Sequence, residues 1–364
     1  MRFIDEFRDT GAARRLLAEL PALLPDRPVR VMEVCGTHTH AIARSGLRRA
    51  APEGLTLLSG PGCPVCVTSA GEIDATIQLA RREGITLCTF GDMVRVPGSE
   101  GSLAQARTEG ARVEVCYSPM EAVVRAEREP DREVVFVGVG FETTAPTVAC
   151  ALLDARRRGV PNLSVLCFHK VIPRAMLALL SSGEVRIDAF LCPGHVSVVI
   201  GSNAYLPIVE AFHVPCVIAG FEPTDVLQAL AMLLRQVRDG RAEVETQYTR
   251  AVRPEGNRRA METLTEVFEP ADAQWRGIGT IPTSGLRIRD EFADMDALKR
   301  HAVTIPEARE HPACCCGDVL RGALRPSECG AFGRPCTPAS PLGPCMVSSE
   351  GACAAELKYG AFEP

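Results

Sequence analysis

The sequence predicts an α/β protein: two Rossmann-like domains, each with a parallel sheet, followed by a cysteine-rich C-terminal domain. Three observations lead there. Short, apolar, β-branched runs alternate with amphipathic helical patterns from residue 29 to about residue 238, the signature of βαβ units. The chain has 364 residues, more than one ordinary core accommodates. Cysteine is abundant and uneven, with 7 of the 16 in the final 51 residues. Hydrophobic residues make up 46% and charged residues 23%, so extended disorder is excluded.

Eight strands are predicted, at 29–34, 55–58, 85–90, 113–117, 134–139, 163–168, 187–191 and 214–219. They are short and mostly apolar, as parallel strands covered on both faces must be. Helical patterns fall between them at 41–49, 72–82, 103–109, 120–128, 147–158, 173–180 and 224–238. The pattern restarts near Pro119 to Pro130, which sets the expected domains at 1–119, 120–250 and 251–364. From Cys314 onward Pro, Gly and Cys dominate, and too little apolar sequence remains to hold that segment by burial alone.

Net charge is −5, and only Lys170, Lys299 and Lys358 are lysines among the 40 basic residues. This excludes a nucleic-acid footprint. The first residues, Met1 to Asp9, are charged and lack a signal-peptide core, and no apolar run reaches the roughly 18 residues of a membrane span. The expectation is a cytoplasmic protein. In that reducing compartment structural disulfides are uncommon, so the thiols point to metal binding or redox chemistry.

Cys35-Gly36-Thr37-His38-Thr39-His40 directly follows the first strand. Ligands of open α/β sheets bind at the carboxyl ends of strands, and a helix start there would lower the thiol pKa. Cys35 is singled out, with His38 beside it. The alternative is a buried cysteine with histidines capping a helix. Gly60-Pro61-Gly62-Cys63-Pro64-Val65-Cys66 follows the second strand. A Cys-x-x-Cys at a helix start reads as a dithiol/disulfide pair. Zinc stays open if Cys35 and His38 complete four ligands.

Gly138 to Thr147 places Glu142 and three hydroxyls at another strand end, an anion-friendly arrangement that lacks both the Walker A and the dinucleotide fingerprint. Cys192-Pro193-Gly194-His195 ends the seventh strand, with His195 either an active-site donor or a turn histidine. Gly220-Phe221-Glu222-Pro223-Thr224-Asp225 ends the eighth, where Asp225 is read as a helix cap. Cys88, Cys116, Cys150, Cys167 and Cys216 read as core filler. In the tail, Cys329, Cys336, Cys345 and Cys353 follow a Cys-x6-Cys-x8-Cys-x7-Cys spacing. It suits a [4Fe–4S] cluster better than zinc, whose sites favour tighter knuckles. Cys314 and Cys316 are possible alternates, or a redox pair of their own.

With these motifs in order, the chain resembles the HypD family of hydrogenase maturation factors. The matching segments are Met32 to His40, Gly60 to Thr68, Gly140 to Pro146, Pro193 to Gly201, Gly220 to Pro223, Trp275 to Gly279 with Pro282 to Leu286, and Cys345 to Cys353. The triplet Cys314-Cys315-Cys316 carries one cysteine more than the expected Cys-x-Cys. The resemblance implies two α/β domains plus an iron–sulfur domain. It further implies a redox-active assembly scaffold, rather than a conventional turnover enzyme, for the Fe(CN)2(CO) unit of [NiFe]-hydrogenase. The implied partners are HypC and HypE, the latter delivering cyanide, and the small ligands are cyanide and CO. Cys35 would be an iron ligand, Cys63 and Cys66 the redox pair, and the C-terminal cluster their electron supply. A stand-alone iron–sulfur-linked thiol-disulfide reductase and a zinc-stabilised binding module are the competing readings.

Overall fold

The computed structural model describes residues 9–99 and 101–360. Nine strands build two parallel sheets: β1 (Val29–Glu33), β2 (Leu55–Ser59), β3 (Ile85–Thr89), β4 (Val113–Val115), β5 (Glu133–Gly138), β6 (Leu163–Cys167), β7 (Ala189–Pro193), β8 (Cys216–Ala219) and β9 (Val244–Thr246). All eight predicted strands are present, with ends shifted by a few residues. The first sheet has the order β2-β1-β7-β8-β9 and the second β4-β3-β5-β6. Every neighbouring pair in both is parallel.

This order corrects the expected division at residue 119. β4 and β5 lie on either side of that boundary, yet both pair with β3. The first sheet instead joins β1 and β2 to β7, β8 and β9, so the whole second sheet is inserted between them. The pattern restart near residue 119 marks one more βα unit, not a new sheet.

The third sheet is an antiparallel hairpin of β10 (Phe268–Trp275) and β11 (Gly279–Ile288), in a region for which no strand was expected. It is tied to the sheets by bridges from Thr68 to Trp275 and from Lys170 to Gly285. The largest buried cluster takes Met32, Val34 and Phe190 from the first sheet and Leu87, Val137 and Leu166 from the second, so the sheets share a core.

Helix starts follow the sequence. Ser69 and Glu72 form a reciprocal capping box at the helix Ala70–Ala80, and Ser118 and Glu121 do the same at Pro119–Arg128. The helix expected at 41–49 begins earlier, as Gly36–Arg44, and breaks at Gly46 (φ +71°) before a short Leu47–Ala50 turn. Cys88, Cys116 and Cys216 are buried as expected. Cys150 is exposed and Cys167 half-buried, so the core-filler reading is corrected for those two.

Candidate thiol site at the strand ends

Cys35 follows β1 and is the N-cap residue of the helix Gly36–Arg44. Its amide donates to Glu33 Oε2 at 3.1 Å. Two backbone bonds fasten the next loop to it: Gly36 N–H donates to Gly62 O, and Gly60 N–H to Glu33 O, each at 2.8 Å. A Cβ on Gly62 would overlap the Cys35 and Val34 backbone, so only glycine allows this approach. The glycine loop thereby sets Cys63 and Cys66 against Cys35. Cys63 and Cys66 are joined as a disulfide, with a Cα–Cα separation of 5.2 Å. The short helix Pro64–Val67 runs between and past them, and Cys66 N–H donates to Cys63 Sγ.

The neighbouring strands deliver two imidazoles to the same place. His195 opens the helix Gly194–Ile200 after β7, and both its ring nitrogens lie 4.0 Å from Cys35 Sγ. His38 Nε2 lies 2.9 Å from Gly220 O at the end of β8. A carbonyl only accepts, so Nε2 carries the hydrogen and Nδ1 is the bare acceptor. That buried Nδ1 has no hydrogen-bond partner among the described residues. Phe221 packs on both rings, with centroids 4.8 Å from His38 and 5.1 Å from His195. Adjacent strands β2, β1, β7 and β8 therefore converge on one site at their carboxyl ends, the position from which open α/β sheets bind ligands.

Burial dominates the electrostatics. It lowers both His38 and His195 to about 4, so both rings are neutral at neutral pH. It raises the Cys35 thiol far above the ordinary range, overturning the lowered value expected from a helix start. Cys35 is 2% exposed, and at that depth desolvation outweighs the amides of Thr37 and His38. Glu33, beneath Cys35, is pushed up to about 7 by burial, although Thr39 Oγ1 donates to it at 2.6 Å.

Glu142 follows β5 of the second sheet. Its Oε1 accepts from Ile172 N–H at 3.0 Å, its buried Oε2 has no partner among the described residues, and burial raises it to about 7. Asp225 caps its helix as expected, and also holds an ion pair with Arg250 at 2.6 Å.

The tail cysteines converge as a group. Cys314, Cys315, Cys316, Cys329, Cys336, Cys345 and Cys353 all line one cavity. Cys316 interacts with both Cys314 and Cys345, Cys345 also with Cys353, and Cys315 with Cys329. Cys329, Cys336 and Cys353 share a small apolar cluster with Ala331 and Met346. Among the described residues no three His, Cys, Asp or Glu side chains are arranged for a single ion. The thiols ring the cavity, a soft donor set that fits an iron–sulfur cluster. Cys316, buried like Cys345, belongs to this ring as much as the four spaced cysteines.

Three residues at the site escaped the sequence reading. Glu33 was visible as one carboxylate inside an apolar strand. Glu350, which accepts from Thr37 Oγ1 at 2.7 Å, comes from the loop between Cys345 and Cys353. Phe221 was read only as part of a helix-capping loop.

Fold and site together define a two-sheet α/β protein with a histidine-flanked thiol, a vicinal cysteine pair and a cysteine-lined cavity. Residues 11–360 match the family model described as "HypD: Hydrogenase formation hypA family". The chain is 51% identical over 368 residues to "Hydrogenase maturation factor HypD" of Azotobacter vinelandii, covering 99% of this chain and 97% of that one. The proteins of the same description from Rhizobium leguminosarum bv. viciae and Escherichia coli (strain K12) are 49% and 43% identical. Those alignments cover 100% and 99% of this chain and 96% and 98% of the relatives. The chain belongs to the HypD family of hydrogenase maturation factors.

Proposed function

We propose that this chain is the scaffold and redox component on which the Fe(CN)2(CO) unit of [NiFe]-hydrogenase is assembled, with HypC as partner and HypE as cyanide donor. The observation that carries the reading is the close seating of the Cys63–Cys66 loop on the Cys35 backbone, made possible by Gly62. A ligand thiol and a two-electron carrier thereby share one strand-end site.

The chemistry follows from those residues. Cyanide and CO favour a low-spin iron, and soft thiolate ligands such as Cys35 and a HypC cysteine suit it. Releasing cyanide from a protein thiocyanate takes two electrons: RSCN + 2 R′SH gives RSH + R′S–SR′ + HCN. Cys63 and Cys66 supply the two R′SH groups and end as the disulfide seen here. A dithiol/disulfide pair in a reducing compartment is characteristically transient and functional. Neutral His195 beside Cys35 and the bare Nδ1 of His38 are the groups placed to take protons. Glu142, hydrogen-bonded to Ile172, is assigned a supporting place on the second sheet.

The tail cavity would hold the [4Fe–4S] cluster through Cys329, Cys336 and Cys353, with Cys345 or Cys316 as fourth ligand. When bound, such a cluster supplies the single electrons that regenerate a dithiol.

Single replacements Cys35→Ala, Cys63→Ala and Cys66→Ala should each abolish hydrogenase maturation. Infrared spectra of the chain purified with its HypC partner should show cyanide and CO stretching bands that vanish in Cys35→Ala. Intact maturation in these variants would overturn the reading. Turnover of a disulfide substrate without HypC would favour the stand-alone reductase instead.

A further inference from the structure

Asp225 does more than cap its helix, and nothing in the proposed chemistry uses it. It is fully buried, and four N–H donors converge on its carboxylate. Arg250 Nη2 and Nη1 donate to Oδ2 and Oδ1 at 2.6 and 2.9 Å, and Gln247 Nε2 donates to Oδ1 at 2.9 Å. The cap itself is the longest of the four, from Glu222 N–H to Oδ2 at 3.3 Å. A helix start uses only that last bond.

The other three tie down both loops on the imidazole side of the thiol site. Gly220 lies directly on the carboxylate, with no room for a Cβ between them, and its amide donates to Gln247 Oε1 at 3.1 Å. The carbonyl of the same residue meets His38 Nε2, and the next residue, Phe221, packs on His38 and His195. On the other side the Arg250 guanidinium lies over the Tyr248 ring, 4.3 Å from its centroid. That ring packs on Gly194, again leaving no room for a Cβ, and its centroid is 6.2 Å from that of Phe221. Gly194 directly precedes His195. Gln247 and Tyr248 are themselves fixed to β8, their amides donating to Ile218 O at 2.8 and 3.2 Å. A neutral amide in place of the carboxylate would offer one acceptor oxygen to four donors, and buried donors left without an acceptor are costly.

We propose that Asp225 is a positioning residue for the thiol site. Through Gln247 and Arg250 it holds Gly220 O where His38 donates to it, which keeps the hydrogen of His38 on Nε2 and leaves Nδ1 bare. The proposal rests on the reading of His38 as a proton acceptor in cofactor assembly.

The test is the ring tautomer of His38, read from nitrogen-15 spectra of the histidine-labelled full chain at neutral pH, with His38→Gln identifying the signal. Arg250→Gln leaves Asp225 in place as the helix cap and removes two of the four donors. It should move the ratio of the two tautomers about tenfold toward the Nδ1–H form, the effect of losing one hydrogen bond. Hydrogenase maturation should fall by a similar factor. Asp225→Asn should do the same, and Arg250→Gln, at a side chain 26% exposed, serves alone if Asp225→Asn fails to fold. A capping role predicts wild-type spectra in Arg250→Gln, and that result would overturn the proposal while leaving the assembly reading standing. A wild-type His38 that carries its hydrogen on Nδ1 would overturn it as well. A shifted tautomer ratio with full maturation would overturn the reading of His38 as a proton acceptor, and the proposal with it.

Discussion

Replacing Gly62 by Ala tests whether the seating of the Cys63–Cys66 loop on Cys35 organises the site. The new Cβ would overlap the Cys35 amide nitrogen and Cα and the Val34 carbonyl carbon. These are backbone atoms of a strand end, so no side chain can swing aside. The loop must lift, weakening the Gly36–Gly62 and Gly60–Glu33 hydrogen bonds, both 2.8 Å. Two such bonds contribute about 2 kcal/mol. Displacing packed neighbours costs about a further 1–3 kcal/mol. The total is about 3–5 kcal/mol, which at about 1.3 °C per kcal/mol for a chain of 364 residues lowers Tm by roughly 4–7 °C. The assay is thermal unfolding followed by circular dichroism, with alkylation of Cys35 as a local probe. Cys35 is 2% exposed and should label slowly in the wild type and faster in Gly62→Ala. Gly330→Ala is the control, because a Cβ there meets nothing within 4 Å among the described residues. A Gly62→Ala protein that melts with the control and labels at the wild-type rate would refute the reasoning.

Two further outcomes follow from buried charge. Lys170 Nζ donates to both oxygens of Glu72 at 2.9 and 3.0 Å, and both residues are buried. Lys170→Met strands Glu72 uncompensated and should cost about 3–5 kcal/mol in urea unfolding, whereas Lys170→Met/Glu72→Gln should recover part of it; equal stabilities would refute this. Glu142, raised by burial from 4.5 to about 7, holds its proton more tightly folded than unfolded. Its stabilisation is complete below about pH 4.5 and is lost as pH rises through about 7, on the order of 3 kcal/mol. Glu142→Gln should flatten the stability profile across that window, and an unchanged slope in urea titrations would count against the buried carboxyl as its cause.

What the sequence made legible is local. Runs such as Val134–Val139 announced strands because parallel strands bury both faces, whereas the capping box of Ser69 and Glu72 was not read, and the helix expected from residue 72 begins at Ala70. β9 gave no such signal: its Val-Glu-Thr is short, half polar and half-buried. Cys35, Cys63 and Cys66 were legible as thiols at strand ends. Their company was not, since His195 is 160 residues from Cys35 and reaches it only because β7 lies beside β1. The thiol pKa was misjudged for the same reason, because burial depends on what covers a residue, not on what precedes it.

The insertion of one sheet into the other decides how the site can form. β1 gains its neighbour β7 only after the intervening second sheet has been crossed by the chain. Until then Cys35 and the Cys63–Cys66 loop have each other through Gly62, but lack His195, Gly220 and Phe221. The vicinal cysteines and the ligand thiol are thus a local unit of the chain. The imidazole and aromatic side of the site is a product of long-range pairing. Cutting at residue 119 would leave β1 and β2 without β7, and β3 and β4 without β5. Neither sheet would survive as drawn, so the two α/β layers are parts of one interleaved unit, with the thiol site at the end of the sheet whose strands come from both sides of the insertion.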